Sequence, residues 1–254
     1  MYVAIVLGTA GSGKTLFTKA LSEYLEDKNL DYAVLNLDPG VLAENLPYSP
    51  DIDVREFIKA EEIMREYNLG PNGALIASMD LLMNFIHDLR QKIQELKPEY
   101  LVVDTPGQME IFAYRPSGPA IVENLFRFPA ARCAIIYLFD PFLCIYSPSS
   151  LLSVLLLAES VYWRFELPMI SVLSKSDLLD QDTLEKLITM INDPEKIAVF
   201  EDVFQIKQDL SPILSVTDKL GTIIAKEVVP VSSITGEGIF DVFSLLLNTW
   251  SVTG

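Results

Sequence analysis

Short, almost continuously apolar runs alternate along the chain with longer segments whose apolar positions recur at helical spacing. The runs are Tyr2–Leu7, Ala33–Leu37, Tyr100–Val103, Ala134–Phe139, Met169–Leu173 and Glu227–Val231. They are rich in Val and Ile and scarcely alternate with polar residues, the pattern of strands buried on both faces. Between them the spacing predicts helices over Lys14–Glu26, Ile52–Tyr67, Ala74–Leu96, Ser149–Phe165, Thr183–Ile191 and Phe240–Trp250. This alternation predicts an α/β fold of three layers, a mostly parallel sheet with helices on both faces. Breakers fall where connections belong, at Asp38-Pro39-Gly40, Gly70-Pro71-Asn72-Gly73, Pro106-Gly107 and Gly236-Glu237-Gly238. No linker composition divides residues 1–254, which read as one domain.

Composition narrows the classes. With 50% hydrophobic positions the chain has material for a full core and is not a disordered protein. Nineteen Lys+Arg against 35 Asp+Glu give a net charge of −16, which argues against coating a nucleic-acid backbone. A single nucleotide remains bindable, because one loop and one cation act locally. The two cysteines, Cys133 and Cys144, do not make a disulfide scaffold, and Cys133 in an apolar run suits a reducing compartment. The opening MYVAIVLGTAGSGK lacks a basic region and a small-residue cleavage site, so a signal peptide is not expected. The uncharged stretch Pro141–Ala158 contains two prolines and four serines and reads as a buried or interface helix, not a membrane span. The expectation is a soluble, cytoplasmic protein with no membrane and no direct nucleic-acid partner.

The chemistry gathers at strand ends, where open parallel sheets bind ligands. Gly8-Thr9-Ala10-Gly11-Ser12-Gly13-Lys14-Thr15 fits GxxxxGK[ST] between a strand-like run and an amphipathic helix. In such a loop the backbone N–H groups of residues such as Gly11, Ser12 and Gly13 curl around phosphate oxygens at a helix N-terminus. Lys14 would reach the β- and γ-phosphates, and the Thr15 hydroxyl would coordinate Mg2+. Asp104, closing its strand before Thr105-Pro106-Gly107-Gln108, can hold the metal opposite that loop. Gly107 would let a backbone N–H approach the γ-phosphate, and the Gln108 amide is placed to orient an attacking water. The motif pair identifies a phosphate-loop NTPase fold.

Two later segments address the base. Ser174-Lys175-Ser176-Asp177 resembles an NKxD guanine reader with serine in the asparagine place. An Asp177 carboxylate can accept from guanine N1–H and its exocyclic amine, whereas adenine has no donor at N1. The Lys175 stem would lie along the ring. The other reading of this tetrapeptide is a helix N-cap. Ser232-Ser233 followed by Gly236-Glu237-Gly238 is similar to the element that closes over the base.

With these in place, Gly70-Pro71-Asn72 between Asp38 and Asp104 makes the chain resemble the GPN-loop GTPases. Asn36-Leu37-Asp38-Pro39-Gly40, Tyr48-Ser49-Pro50-Asp51-Ile52-Asp53-Val54-Arg55 and Asp104-Thr105-Pro106-Gly107-Gln108-Met109-Glu110 are also similar to that family's pattern. The likeness runs from Gly8 to Gly238. It implies a homodimer in which Asn72 of one subunit reaches the γ- or product phosphate of the other. It implies that Asp38 helps place water or metal, and that Gln108 works nearby. It implies GTP as substrate, GDP as product, and a nucleotide-driven switch serving a protein client such as an RNA polymerase subunit or an assembly complex. Thr9 and Ala10 stand where related dimeric ATPases carry an extra lysine, and the chain resembles a compact, archaeal-type member. Helix Ser149–Phe165 suits either a dimer face or complete burial.

The remaining candidates are weaker. His87 has no ligand cluster beside it and reads as a helix residue. Asp51 and Asp53 read as turn charges or as a functional pair, Arg55 as a switch or subunit contact or an ion pair, and Glu61, Glu62 and Glu66 as a solvated face. The whole points to a GTPase with Lys14, Asp38, Asn72 and Gln108 at the reaction. The alternative is a phosphate-loop kinase acting on a small acceptor.

Overall fold

Among the described residues seven strands form one sheet in the order β3-β2-β4-β1-β5-β6-β7, and every neighbouring pair runs parallel. They are β1 Tyr2–Gly8, β2 Tyr32–Asn36, β3 Ile52–Asp53, β4 Tyr100–Asp104, β5 Arg132–Phe139, β6 Met169–Leu173 and β7 Val228–Pro230. This computed structural model describes residues 1–127, 131–211 and 227–252. The helices among them are α1 Lys14–Asp27, α2 Ala60–Glu66, α3 Pro71–Leu82, α4 Ile86–Leu96, α5 Met109–Ala113, α6 Ser117–Phe126, α7 Pro141–Cys144, α8 Pro148–Phe165, α9 Gln181–Asn192 and α10 Ile239–Val252.

Successive strand side chains point to opposite faces, so each strand feeds two cores. Val3, Ile5 and Leu7 of β1 join Leu101, Val103, Ile135 and Tyr137 on the face covered by α3, α4, α6 and α8. Ala4 and Val6 join Val102, Ile136 and Val172 on the face covered by α1 and α10. Burial on both sides is why these runs carry no polar alternation. At the amino end of the sheet Tyr2 stacks on Tyr100 and Trp250, with ring centroids 5.4 and 5.1 Å away. The strand carboxyl ends therefore stay free for polar loops. The thiols of Cys133 and Cys144 are buried and unpaired, and burial pushes Cys133 up to about 12, leaving it unreactive.

Two predicted helices resolve differently. The expected helix over Ile52–Tyr67 begins as strand β3, continues as a 3-10 turn over Val54–Glu56, and becomes helical only at α2. Its first residues pair with the exposed edge of β2, Ile52 beside Leu35 and Asp53 beside Asn36, and the Asp53 carboxylate then caps Arg55 N–H. The segment Ala74–Leu96 is two helices, α3 and α4, parted by a 3-10 turn at Met83–Phe85. Gly70-Pro71-Asn72 is not a loop preceding α3 but its beginning: Gly70 is the N-cap and Pro71 the first helical residue. A proline is tolerated there because that N–H has no intrahelical partner. Helix α8 buries Leu151, Leu152, Leu155, Ala158, Val161 and Phe165 within the subunit, while Leu156 and Trp163 face outward. Among the described residues no helix is long and apolar enough to cross a membrane.

Helices α5 and α6 were not legible as periodic segments, and their packing controls the loop after β4. A Cβ at Gly118 in α6 would lie 1.7 Å from the Phe112 carbonyl oxygen in α5. We expect Gly118→Ala to cost about 3 kcal/mol through this overpacking, read as a lowered urea midpoint. Gly73→Ala is the control. Its Cβ would meet Leu69 at an ordinary 3.6 Å, so in a helix it should leave the midpoint unchanged or raise it.

Candidate functional site

The chain leaves β1 at Gly8 and enters α1 at Lys14, and Gly13 makes that entry with φ of 92°, a left-handed conformation that favours glycine. The resulting loop lies at the sheet's midline, between β4 and β5, where the direction of strand progression reverses. Lys14 is 5% exposed, and its ammonium donates to the carbonyls of Gly8 at 2.8 Å, Thr9 at 3.0 Å and Gly107 at 3.0 Å. Burial lowers its pKa to about 8, against the pull of Asp104 and Asp38 nearby.

Asp38 follows β2 and bridges two loops. One carboxylate oxygen accepts from Gly40 N–H at 2.8 Å and the other from Gly107 N–H at 3.2 Å. Burial raises its pKa despite those two bonds. Its position is set by Asn36, fully buried, whose side chain accepts from Asp38 N–H at 3.0 Å and donates to Asp53 at 3.0 Å. Gly107 thus meets Lys14 through its carbonyl and Asp38 through its N–H.

Asp104 ends β4 at 1% exposure. Its Oδ2 accepts from the Tyr48 hydroxyl at 2.8 Å, and its Oδ1 is buried with no hydrogen-bond partner among the described residues. Burial pushes its pKa up to about 6, with Tyr48 and the nearby Thr15 hydroxyl pulling the other way. No cluster of three His, Cys, Asp or Glu that could hold a metal occurs among the described residues. Mg2+ takes one or two protein ligands and completes its shell with phosphate and water. The orphaned Asp104 oxygen and the Thr15 hydroxyl are a donor set suited to it.

Gln108 Nε2 donates to Asn72 Oδ1 at 2.9 Å within one chain. The two amides expected at the reaction are therefore neighbours, one residue from the Gly107 junction, and both are solvent-accessible. Asp51 and Asp53 are not a paired site. Asp51 accepts from Val34 N–H at 2.8 Å on the β2 edge, and Asp53 is ion-paired with Arg55. Arg55 also donates to Val41 O at 3.1 Å, beside a cavity of about 470 Å3 between that loop and α2. His87 is an exposed residue of α4.

Toward the base side, the loop after β6 and the loop after β7 are joined, Ser176 N–H donating to Val231 O at 3.1 Å. Ser232 is fully buried; its hydroxyl accepts from Thr235 N–H at 3.2 Å and its N–H donates to Glu237 O at 3.1 Å, which closes the Ser232–Gly238 loop, with Ser233 half-buried on it. Asp177 is exposed beside this pair of loops. It caps no helix: α9 is capped by Asp180. Ser174 donates to Phe139 O at 2.9 Å, so this serine ties its loop to β5 and not to the phosphate loop. Lys175 has φ of 55°, and unlike Asn29, Asn68, Lys97 and Glu166 it does not follow a helix. Left-handed backbone on such a residue is a strain that functional sites carry. Its ammonium pairs with Asp140 at 2.9 Å and lies 5.8 Å from the Phe142 ring centroid.

Sequence reasoning assigned no role to Asn36, Tyr48 or Asp140. Asp140-Pro141 carried a signal, an N-cap followed by proline directly after a strand. The segment that Tyr48 opens was marked by its likeness to the family's pattern, but nothing local points to Asp104, 56 residues away.

Residues 6–250 match a family model described as a conserved hypothetical ATP binding protein. The chain is 37% identical to the GPN-loop GTPase 2 homolog of Dictyostelium discoideum over 178 residues, 70% of this chain and 55% of that protein. It therefore spans little more than half of that relative. It is 41% identical to a GPN-loop GTPase of Pyrococcus abyssi over 186 residues, 72% of this chain and 71% of that one. The crystal structure of a GTPase in apo form from Pyrococcus abyssi superposes with a TM-score of 0.82 at 33% identity, covering 98% of this chain and 97% of that chain.

The raised pKa of Asp104 has a sign. A carboxyl whose pKa in the folded protein exceeds its unfolded value stabilises the fold at low pH, and that contribution is lost as pH rises through about 6. Asp104→Asn should therefore raise the urea midpoint of the nucleotide-free protein at pH 8, by the equivalent of about 2 kcal/mol, and leave it unchanged at pH 4.

Proposed function

The chain belongs to the GPN-loop GTPase family, and from that premise we propose that it is a Mg2+-dependent GTPase forming GDP and phosphate. The observation that carries this reading is the Gly107 junction, where Lys14, Asp38 and the loop after Asp104 are hydrogen-bonded together. The backbone N–H groups from Gly11 to Thr15 cradle the phosphates, and the Lys14 ammonium exchanges its carbonyl partners for phosphate oxygens. Thr15 and Asp104 would hold Mg2+, which would supply charge neutralisation to the phosphates. Asp38 and Gln108 orient the water, and Gly107 N–H is the group released or retained according to whether a γ-phosphate is present. The family description names ATP, but the joined loops carrying Asp177 and Ser232 favour guanine, because a free carboxylate there matches two donors that adenine lacks.

The protein works as a cytoplasmic homodimer, for which Phe142, Leu143, Tyr146, Leu156 and Trp163 supply exposed apolar surface. Its nucleotide-driven change of shape serves the assembly of a protein complex such as an RNA polymerase. In that dimer Asn72 reaches the partner's phosphate. A second reading has a specific observation behind it: Asn72 bonds Gln108 of its own chain and acts there in cis.

Two tests follow. Asp177→Asn should weaken GTP binding about 100-fold while improving xanthosine triphosphate, whose C2 carbonyl accepts from the new amide. Equal affinity of the unaltered protein for ATP and GTP would overturn the guanine assignment. For Asn72, Asn72→Ala and Lys14→Ala subunits are co-expressed with different tags and purified through both. Recovered phosphate release means that Asn72 acts across the dimer; release no higher than in either single variant means that it acts in cis.

A further inference from the structure

The Tyr48 hydroxyl donates to Asp104 Oδ2 at 2.8 Å, on the carboxylate that the Thr15 hydroxyl also approaches, and no phosphate-loop chemistry requires the tyrosine. Its approach is built. The segment leading from it is clamped to the edge of β2, with Asp51 N–H donating to Val34 O at 2.9 Å and Val34 N–H donating back to the Asp51 carboxylate at 2.8 Å. Two residues on, β3 pairs with β2, and Asp53 is held by Asn36 at 3.0 Å and by Arg55. Tyr48 thus reaches Asp104 from a strap anchored on its far side. A carboxylate bound through neither oxygen turns freely; this one has Oδ2 committed and Oδ1 buried and unpartnered.

We propose that Tyr48 is a positioning residue for the metal: by holding Oδ2 it fixes the plane of the Asp104 carboxylate, leaving Oδ1 as the acceptor offered to Mg2+ and its water beside Thr15. The inference rests on the Mg2+-dependent reading above and extends it to a residue outside the phosphate-binding motifs. Partners that orient a metal ligand in this way typically change metal affinity by about 10- to 100-fold when removed.

The test uses the full chain loaded with GDP and titrated with Mn2+, followed by electron paramagnetic resonance. Tyr48→Phe should weaken Mn2+ about tenfold, with GDP affinity in EDTA and the thermal midpoint unchanged. In an Asp104→Asn background the same substitution should add nothing. Should Tyr48→Phe fail to fold, Asp51→Ala, which frees the strap without touching Asp104, carries the same expectation. Mn2+ affinity within twofold of the unaltered protein overturns the proposal. So does tighter binding, which would make Tyr48 a competitor of the metal, or an equal loss in the Asp104→Asn background. If GDP binding by the unaltered protein showed no Mn2+ dependence, the metal-dependent GTPase reading would fall, and this inference with it.

Discussion

Gly107 is the point on which the site depends. Its carbonyl accepts from Lys14 and its N–H donates to Asp38, so the phosphate loop, the turn after β2 and the loop after β4 share one peptide group. The arrangement is electrostatically costly. Lys14, Asp38 and Asp104 are all buried enough to disfavour their charged forms, and each is offset by only a few polar contacts. Under the proposed GTPase function a phosphate with its cation would supply the missing countercharges.

The surrounding fold serves to hold that junction still. Parallel pairing of β4 beside β1 sets Asp104 level with Val6, close to the loop that leaves β1. The close approach of Gly118 to Phe112 locks α6 onto α5, immediately beyond Gln108. Arg164 of α8 donates to the carbonyls of Ala113 and Tyr114 at 2.7 and 3.0 Å, tying the end of the same helix to the core. The segment that follows Gly107 is therefore anchored at its far end. On the base side, Asp140 plays a comparable part for Lys175, fixing its head so that the stem is the surface left available.

Much of this was readable in the chain. The six principal strands and the motif loops at their carboxyl ends follow from buried apolar runs and from short spacings with a fixed chemical meaning. What escaped reading has a common cause. The edge strand at Ile52–Asp53 hides in a segment with helical composition, because a free β2 edge outweighs local propensity. Ser174, placed like an asparagine that ties two loops, instead bonds the end of β5. Asn36 and Tyr48 look like ordinary polar residues until their partners are known.

The amino-acid sequence alone determined the parallel α/β fold, the phosphate-loop motif and the likeness to the GPN-loop family. These are local properties: periodicity, and motifs whose spacing is short. The tertiary structure alone decided that Gly70-Pro71-Asn72 begins a helix and that Asn72 meets Gln108 in its own chain. It alone brought Tyr48 to Asp104. Those outcomes depend on which loops the sheet order brings together across tens of residues, and no local pattern encodes such a meeting.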